Sequence, residues 1–567
     1  MGETGRWYRL ALCGLIASVL YLPGLGAPAL WEPDEGRYAE IAREMLRSAD
    51  YITPRDDWVR YFEKPPLMYW ATAGSIAALG ENEFAVRLPA ALFSIGEVMV
   101  TCALAEAMFG ASVGLLSAIA LALSPLVWGF ARFLTLDPAL AFFVTAALGS
   151  FWVAAAIPGF RSRASRRWLI VAAAMTAMGT LTKGPVALVI CGCVAALHML
   201  LENRMRELSA IPWLACGLVY AALVVPWFTA VAAFNPQFLG YFFVHEHLHR
   251  YVANTEHGWG PWFLVAVAAG GAWPWLHFVP LGITELRSGR DARESSALRL
   301  LSIWFSFVLV FFSIPRAKLG SYVLPAMPPL AIVAGCGLKR LIELDRERVR
   351  RVLGWFVIIN VSVAAGCMVA LALARSSLGG RLVLDGILIA GCLVIGAAAA
   401  FAIGTRGSVR GAIAVIAIAI VAAGVAAIKA RADVAPTVSY RRLARAITPS
   451  LAPGCVLASY AHLEQSLPFY THTREVMVDY LGELGAERAS SDGAKSFMDK
   501  AQLQALWGSA NCVVLVLNQS DYDALASMLK PAPTMIACEG KKLAVYNRPA
   551  LGSASEFDCR AGSNRGN

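Results

Sequence analysis

Two short charged motifs near the N-terminus contain residue types that could do chemistry. The first runs Trp31-Glu-Pro-Asp-Glu-Gly-Arg-Tyr38, and the second runs Phe62-Glu-Lys-Pro-Pro-Leu67. Both follow the first long apolar run, where a membrane protein usually has only a short turn. Ionisable groups close to lipid are costly to desolvate, so they persist mainly where they react with or recognise a ligand. The two motifs therefore predict an active-site loop at a membrane surface.

Carboxylates in this loop and beside a later apolar run are candidate catalytic or orienting groups. Asp34 and Glu35 open a predicted helix, Glu63 lies in the second motif, and Asp137 begins another apolar run. Acidic residues at helix starts favour the helix dipole, so N-terminal capping is the alternative interpretation for Asp34 and Asp137. Capping does not account for the whole cluster of the first loop.

Several cations lie at the ends of predicted spans. The predicted topology puts these ends on the outer face of the membrane, where positive charge is disfavoured. The cations are Lys64, Lys183, Arg250, Arg316 and Lys318. Snorkelling toward lipid headgroups is the alternative, above all for Arg316. Cations that converge near an interface would form a phosphate site, since they neutralise anionic oxygens and the charge that develops on a leaving phosphate.

A histidine cluster, His245-Glu-His-Leu-His249, could hold a divalent metal. His245 and His249 share one helical face, and Glu63 would add a carboxylate, a mixed ligand set that suits zinc. A solvated interfacial loop of pH-sensitive polar residues is the alternative. The sequence has no Walker loop, Rossmann glycine motif or nucleophile elbow. It therefore predicts no nucleotide cofactor and favours a lipid-linked substrate.

Composition settles the class of protein. The chain has 567 residues, of which 58% are hydrophobic and only 16% charged, so it is predicted to be a polytopic α-helical membrane protein. The net charge of +10 lies mostly in short loops and does not indicate nucleic-acid binding. Thirteen transmembrane helices are predicted, at 8–27, 85–109, 113–130, 138–157, 169–183, 185–201, 209–229, 262–284, 298–314, 321–338, 352–374, 384–402 and 411–430.

Loop charges orient these spans. The doubtful segment, 65–80, is short and opens with two prolines. If it is a surface or re-entrant helix, the basic loops 158–168, 285–297 and 339–351 all lie on the side of the N-terminus, as the positive-inside rule requires. We therefore expect the N-terminus inside and the C-terminus outside. The candidate residues, Arg132 among them, then all lie on the outer face.

The membrane domain is predicted to span residues 1–430, with a catalytic outer loop at 28–84. From 431 to 567, short β-rich runs alternate with helical stretches, which predicts a soluble α/β domain with a loose C-terminal tail. The predicted strands are Cys455–Ala458, Val476–Val478, Cys512–Leu517, Thr534–Ile536 and Leu543–Tyr546. Disulfides could form there among Cys455, Cys512, Cys538 and Cys559, because the domain is expected outside the cytoplasm.

The order of the motifs resembles one family of membrane enzymes. The two N-terminal motifs are followed by Arg-Leu-Pro at 87–89, Leu-Asp-Pro at 136–138, Thr-Lys-Gly-Pro at 182–185 and Lys-Leu-Gly-Ser-Tyr-Val-Leu-Pro from Lys318. This series resembles the bacterial 4-amino-4-deoxy-L-arabinose (aminoarabinose) transferases of lipid A. These are membrane glycosyltransferases of the GT-C fold, related to protein O-mannosyltransferases. The resemblance covers nearly the whole chain.

The resemblance implies a monomer that transfers the sugar from undecaprenyl phosphate to lipid A phosphates at the periplasmic face of the bacterial inner membrane. It implies an inverting displacement and resistance to polymyxin and other cationic peptides. Asp34 and Asp137 would be the key carboxylates, with Glu63 and Lys64 beside the donor phosphate. The implied substrate-binding residues are Glu35, Arg37, Tyr38, Lys183, Arg250, Lys318 and Tyr322.

Two alternatives stay open at this point. One is a related polyprenyl-phosphate-sugar transferase with another sugar or acceptor, since the motifs are less specific for these. The other is a transporter of lipid-linked sugars, which should have charges at the membrane midplane and inverted repeats. Only Glu97 and Glu106 lie near span centres, and no internal repeat is evident. The enzyme is therefore favoured.

Overall fold

The computed structural model describes residues 3–249, 258–288, 292–373, 380–435, 438–480, 482–488 and 493–548. It divides into two compact units. The first unit contains the chain up to Leu25, Glu63–Met68 and Arg87–Arg431, and the second contains Gly26–Phe62, Tyr69–Val86 and the chain from Ala432 onward. Most of the loop 28–84, which the sequence analysis assigned to the membrane domain, thus clusters with the C-terminal residues.

Helices dominate the first unit and recur in the second. In chain order the α-helices are α1 Glu3–Tyr21, α2 Asp34–Ser48, α3 Leu67–Leu79, α4 Glu83–Phe109, α5 Ala111–Ala122, α6 Pro125–Ala131, α7 Asp137–Ala155, α8 Arg163–Lys183, α9 Val186–Leu201, α10 Trp213–Phe234, α11 Phe263–Gly271, α12 Val279–Ser288, α13 Ala292–Ser313, α14 Met327–Glu343, α15 Arg346–Leu373, α16 Gly380–Thr405, α17 Val409–Val434, α18 Arg441–Ile447, α19 Leu467–Thr471, α20 Lys500–Trp507 and α21 Gln519–Ala526. Shorter 3-10 turns include Trp275–Phe278 and Gly320–Ala326, and Gly240–His249 is π-helical.

Each predicted span coincides with one helix or with one bent pair of helices. Among the described residues, eight helices are long and apolar enough to cross a membrane, or ten when each bent pair counts as one span. Helix α9 is too short at 16 residues, and α1 and α8 begin with charged segments that lower their apolar content. Length and composition therefore support ten of the thirteen predicted spans. The doubtful segment 65–80 contains only the 13-residue α3.

Two predicted spans are not straight. The run 113–130 bends by 64° between α5 and α6, and the run 262–284 bends by 92° between α11 and the turn that begins at Trp275. Each break lies directly before or at a proline, Pro125 or Pro274, which cannot donate a main-chain hydrogen bond. An apolar run alone does not reveal such a bend.

The centre of the first unit is formed by α7 and by the continuous stretch Gly320–Glu343. In the most apolar 18-residue stretch of each of these two elements, 89% and 94% is buried, against 11% in α15, so they form the core while α15 lies at its edge. Small residues permit the closest approach: a Cβ atom on Gly337 of α14 would lie 1.9 Å from the carbonyl oxygen of Phe278.

The second unit is built on a six-stranded sheet with the order β5-β4-β3-β6-β8-β7. The strands are β3 Val456–Tyr460, β4 Glu475–Val478, β5 Phe497–Met498, β6 Val513–Asn518, β7 Thr534–Glu539 and β8 Lys542–Tyr546, while β1 Arg55–Asp56 and β2 Val59–Arg60 form a separate hairpin. Strands β3 to β6 are parallel, and β8 is antiparallel to both β6 and β7. The five predicted strands are confirmed, and β5 is an addition.

Apolar clusters cover both faces of the sheet. Leu503 and Trp507 of α20 contribute to one cluster, and Leu443 and Ile447 of α18 contribute to the other. This arrangement is a three-layer α/β structure, as the alternation of runs predicted. A disulfide joins Cys455 to Cys512, which links the starts of two neighbouring parallel strands. Cys559 lies outside the described residues.

Helix α2 and the β1–β2 hairpin are integral parts of the second unit. The main-chain N–H of Glu32 donates to the carbonyl of Val438 at 2.9 Å. The N–H of Ser466 donates to the Glu32 carboxylate at 2.7 Å, and the N–H of Glu475 donates to Asp57 at 3.0 Å. A Cβ atom on Gly36 would lie 2.5 Å from the Ser466 nitrogen. The glycine of the first motif is therefore required by close packing.

Three carboxylates of this region are buried in the second unit. Two N–H···O bonds from the main chain of Trp58, at 2.9 and 3.0 Å, hold Glu44, and Asp57 accepts from Glu475. Burial raises the pKa of Glu44 and Asp57 above their usual ranges. Burial also raises the pKa of Asp56 to about 7, against the opposing effect of Arg37 and with a further rise from Glu40.

We expect the second unit to lose stability as the pH rises from 5 to 8. Because the folded-state pKa of Asp56 lies above its unfolded value, the stabilising contribution is complete below the unfolded pKa and is lost as the pH rises through the folded one. Asp56→Asn should remove a slope of up to about 1.4 kcal/mol per pH unit from thermal unfolding over this interval. An unchanged slope would contradict the assignment.

Asp50→Asn provides the matched control. Asp50 lies in the same unit and is partly exposed, and, against a contribution from burial, the Thr53 N–H and Arg55 lower its pKa. Its titration is complete below pH 5, so this variant should keep the wild-type slope between pH 5 and 8.

Candidate active site

Within the first unit, the ends of α7 and α8 bring together a lysine, a carboxylate and an aromatic ring. Asp137 is the first residue of α7, and Lys183 is the last residue of α8. The Lys183 ammonium donates to the Asp137 carboxylate, and its Nζ lies 4.3 Å from the centroid of the Tyr322 ring. Asp137 is buried, so the pair is shielded from water. The Leu-Asp-Pro and Thr-Lys-Gly-Pro motifs therefore meet in one cluster.

A second lysine of the first unit lies between two carboxylates. The Lys64 ammonium donates to the Glu246 carboxylate of the π-helical segment, and Oε2 of Glu63 lies 3.7 Å from its Nζ. Both glutamates are buried. The Glu-Lys-Pro-Pro motif is thus connected directly to the segment that contains the histidine cluster.

The third lysine, Lys318, is buried and has a neutral partner. Its Nζ donates to the main-chain carbonyl of Trp259 at 3.0 Å, and Ala317 forms a β-bridge with Gly258. The turn that follows, Gly320–Ala326, contains Tyr322 and packs against α7. Residues 317–326 therefore place Lys318 and Tyr322 on one short rigid segment.

These three lysines give the first unit the charges that a phosphate group requires. A buried ammonium binds an anionic oxygen more strongly than an exposed one, because fewer water molecules screen the interaction. The carboxylates Glu63 and Glu246 pair with Lys64, and Asp137 pairs with Lys183, so both half-buried lysines have anionic partners. Lysines with these partners suit a singly charged phosphodiester, and the carboxylates could orient a cationic or hydroxylated sugar once a phosphate takes their place on the ammonium groups.

Three other cations have different roles or lie elsewhere. Arg132 caps the end of α1, since its Nη1 donates to the Tyr21 carbonyl at 2.8 Å. Arg316 is exposed, in keeping with the snorkelling alternative. Arg250 lies outside the described residues.

The remaining predicted site residues belong to the second unit. Asp34 is the first residue of α2 and half-buried, whereas Glu35 is buried and accepts the main-chain N–H of Trp31 at 3.0 Å. Arg37 forms a salt bridge with Glu483 at 2.9 Å and lies over the Tyr61 ring. The ring centroid of Tyr38 lies 5.7 Å from that of Tyr69. Glu35, Arg37 and Tyr38 thus have contacts that stabilise this unit.

The structure describes one of the three side chains of the predicted metal site, that of Glu63. Among the described residues no group of three His, Cys, Asp or Glu side chains is placed to hold a metal ion. The side chains of His245 and His249 lie outside what the structure describes. Glu63 is buried and carries a carboxylate, an oxygen donor of a type that zinc accepts, and it shares the ammonium of Lys64 with Glu246. Zinc binding stays a prediction.

Glu246 is the site residue that the sequence analysis missed. It lies inside the histidine cluster, between His245 and His247, and the cluster was interpreted from its histidines alone. The available signal was a lone carboxylate at the outer end of an apolar segment, which needs a cation partner when it is buried.

Two family models match the chain. The model of the dolichyl-phosphate-mannose-protein mannosyltransferases matches residues 7–242. The model of the aminoarabinose transferase C-terminal domain matches residues 443–547. The two matches fall on the helical region and on the sheet-containing region respectively.

Curated relatives carry one description, undecaprenyl phosphate-alpha-4-amino-4-deoxy-L-arabinose arabinosyl transferase. The Erwinia tasmaniensis protein is 35% identical over 349 residues, which are 59% of this chain and 62% of that protein. The Edwardsiella ictaluri protein is 32% identical over 67% of each chain. The match to the first of these relatives thus spans less than two thirds of its length.

A solved structure matches over nearly the full chain. The crystal structure of ArnT from Cupriavidus metallidurans bound to undecaprenyl phosphate has a TM-score of 0.86 and 29% identity, covering 97% of this chain and 99% of that one. An archaeal oligosaccharyltransferase, AglB from Archaeoglobus fulgidus, has a TM-score of 0.53 at 11% identity, which shows a shared fold alone. The chain therefore has the GT-C fold and is a multi-pass membrane protein.

Proposed function

Because the chain belongs to the family of undecaprenyl phosphate-aminoarabinose arabinosyl transferases, we propose that it transfers 4-amino-4-deoxy-L-arabinose from undecaprenyl phosphate to a phosphate group of lipid A. The observation that carries this proposal is the set of three buried or half-buried lysines, Lys64, Lys183 and Lys318, in one unit whose fold matches a relative bound to undecaprenyl phosphate.

The chemistry is a single displacement at the anomeric carbon of the sugar. A lipid A phosphate oxygen forms the new bond as the bond from the anomeric carbon to the donor phosphate oxygen breaks, so the configuration inverts and undecaprenyl phosphate leaves. The lysines stabilise the negative charge that grows on this leaving group. Arg250 and Tyr322 complete the donor-phosphate site in this proposal.

The carboxylates act on the sugar and the acceptor. A phosphate acceptor is already ionised at neutral pH, so it needs no strong base. Asp34 and Asp137 then orient the ammonium and hydroxyl groups of the aminosugar. A hydroxyl acceptor on another molecule would instead require Asp34 as a general base. A related transferase with another sugar or acceptor therefore differs from this proposal mainly in whether Asp34 acts as a general base.

The reaction takes place at the periplasmic face of the bacterial inner membrane in this proposal. The positive-inside rule, applied to the basic loops 158–168, 285–297 and 339–351, supports an N-terminus in the cytoplasm and a second unit in the periplasm. The disulfide between Cys455 and Cys512 supports this orientation, because such bonds persist in oxidising compartments. The enzyme works as a monomer, and the added positive charge on lipid A confers resistance to polymyxin.

Mass spectrometry of lipid A tests the proposed function directly. Purified protein, incubated with undecaprenyl-phosphate aminoarabinose and lipid A, should yield lipid A heavier by one aminoarabinose residue. Lipid A that lacks its phosphate groups should remain unmodified. Modification of the dephosphorylated acceptor, or transfer only to a protein, would overturn the assignment of the acceptor while leaving the donor assignment intact.

We also predict that Glu63, His245 and His249 bind zinc at the outer face. The ion would supply Lewis-acid stabilisation of a phosphate oxygen when bound, or fix the segment that contains the histidines. Metal analysis of protein purified without a histidine tag should find close to one zinc per chain, and the double variant His245→Ala/His249→Ala should lose it. Full activity after chelation would exclude a catalytic ion.

A further inference from the structure

The proposed function does not explain why Lys64 forms a salt bridge with Glu246. Lys64 donates to Glu246, and both side chains are largely buried, with exposed fractions of 17% and 6%. Yet Lys64 is one of the three lysines that are proposed to bind the donor phosphate. The carboxylate therefore occupies the position at which an anionic substrate would bind.

We propose that Glu246 is an exchangeable counter-ion: it holds Lys64 in the donor-free enzyme and is displaced by the donor phosphate. Glu246 is thus a positioning residue that acts through Lys64. This inference rests on the proposed function, since it presumes that Lys64 binds the donor phosphate.

The local charge favours exchange of the phosphate for the Glu246 carboxylate over binding of the phosphate as an additional anion. Glu63 already lies 3.7 Å from the Lys64 ammonium, so the lysine faces two carboxylates. A third anion would be strongly repelled in this poorly solvated place, because charges there are weakly screened. A phosphodiester carries one negative charge, and its exchange for the Glu246 carboxylate leaves the total charge unchanged.

The backbone under Glu246 is suited to such a displacement. Glu246 lies on the π-helical segment Gly240–His249, beyond the end of α10 at Phe234. Helical turns of the π type are rare and occur frequently at functional sites. Asp137 provides the contrast: it begins the buried 19-residue α7, so the partner of Lys183 is fixed.

This exchange lowers the apparent affinity for the donor by a measurable factor. When Glu246 holds Lys64 in most donor-free molecules, only the remaining fraction is competent to bind, and the apparent Kd rises in inverse proportion to that fraction. Removing the competing charge should therefore tighten binding. A salt bridge with a purely structural role predicts the opposite, because its loss would loosen the site.

The test compares phosphate binding in purified full-length variants. Undecaprenyl phosphate is titrated and its Kd is read from the shift in melting temperature, with undecaprenol as the probe that lacks the phosphate. Glu246→Gln should lower the Kd and the donor KM by roughly 3–10-fold without raising kcat. In a Lys64→Ala background the same substitution should have no effect on either quantity.

Two further variants protect this test against a folding defect. Glu246→Asp keeps the charge on a side chain one methylene shorter, so it should tighten binding less than the glutamine variant. Glu106→Gln removes the carboxylate of another half-buried ion pair in the same unit, which joins Glu106 to Arg9 at 2.5 Å. It should leave the Kd for undecaprenyl phosphate unchanged.

The outcomes separate this inference from the proposed function. A Kd that rises or stays the same in Glu246→Gln, while Lys64→Ala weakens binding, overturns the counter-ion role alone. Wild-type protein that binds undecaprenyl phosphate no better than undecaprenol, with no effect of Lys64→Ala, overturns the donor site and this inference together.

Discussion

Asp34→Asn is expected to reduce transfer of aminoarabinose by roughly 10²- to 10⁴-fold, the range typical of a positioned acid–base or orienting carboxylate. The asparagine has the same shape as the aspartate, so the variant tests the charge alone. Asp34 is half-buried at the start of α2, and the helix that follows is held by Glu35, Gly36 and Arg37. The melting temperature should therefore stay close to that of the wild type.

Initial rates of lipid A modification, measured with saturating donor, provide the readout for this variant. Asp50→Asn, which makes the same chemical change in the same unit, is the control and should retain the wild-type rate. An Asp34→Asn enzyme with most of its activity would show that this carboxylate is a helix-start residue without a part in the reaction.

Lys64→Ala and Lys318→Ala should each weaken use of the donor by roughly 1.5–3 kcal/mol, the order expected for a charge-assisted contact to a phosphate. This corresponds to a loss in kcat/KM for undecaprenyl-phosphate aminoarabinose of roughly 10- to 150-fold. Arginine at either position should restore only part of the loss, because a planar fork and a compact ammonium differ in geometry.

Lys339→Ala is the matched control for the lysine variants. Lys339 lies near the end of α14 in the same unit, and its side chain is 40% exposed, with the Glu343 carboxylate 4.0 Å away. Its removal should not change the donor KM. Wild-type donor kinetics in both Lys64→Ala and Lys318→Ala would rule out the phosphate site in the first unit.

The fold of the C-terminal part was predictable from local pattern. Parallel strands such as β3 and β6 are largely buried on both faces, and their short apolar runs are therefore readable in the sequence. The two-residue strand β5 offered no comparable run. The alternation of these runs with helices also indicated the three-layer architecture.

The bends of the membrane helices were not predictable from the same information. Pro125 and Pro274 lie at breaks of 64° and 92°, whereas Pro89 and Pro226 lie inside the continuous helices α4 and α10. A proline therefore removes one hydrogen bond in every case, and tertiary packing decides whether the helix breaks there. A single sequence contains no record of that packing.

The candidate site was predicted in its residue types more fully than in its grouping. Asp137, Lys183 and Tyr322 were each identified by motif, and the structure brings them into one cluster. The partner of Lys64 was missed because Glu246 lies 182 residues further along the chain. The grouping of α2 with the C-terminal strands was not predicted for the same reason: composition describes neighbouring residues in the sequence and not residues that meet in the fold.

The second unit also has a consequence for how the protein is made. Helix α2 and its hairpin leave the ribosome early, yet they bond to Ser466 and Glu475, which lie 434 and 418 residues beyond Glu32 and Asp57. At roughly 5–20 residues per second, synthesis of the intervening chain takes on the order of half a minute or more. The loop that contains the first motif is thus synthesised long before the strands that hold it, and a chain that stops short of them leaves that loop without its support.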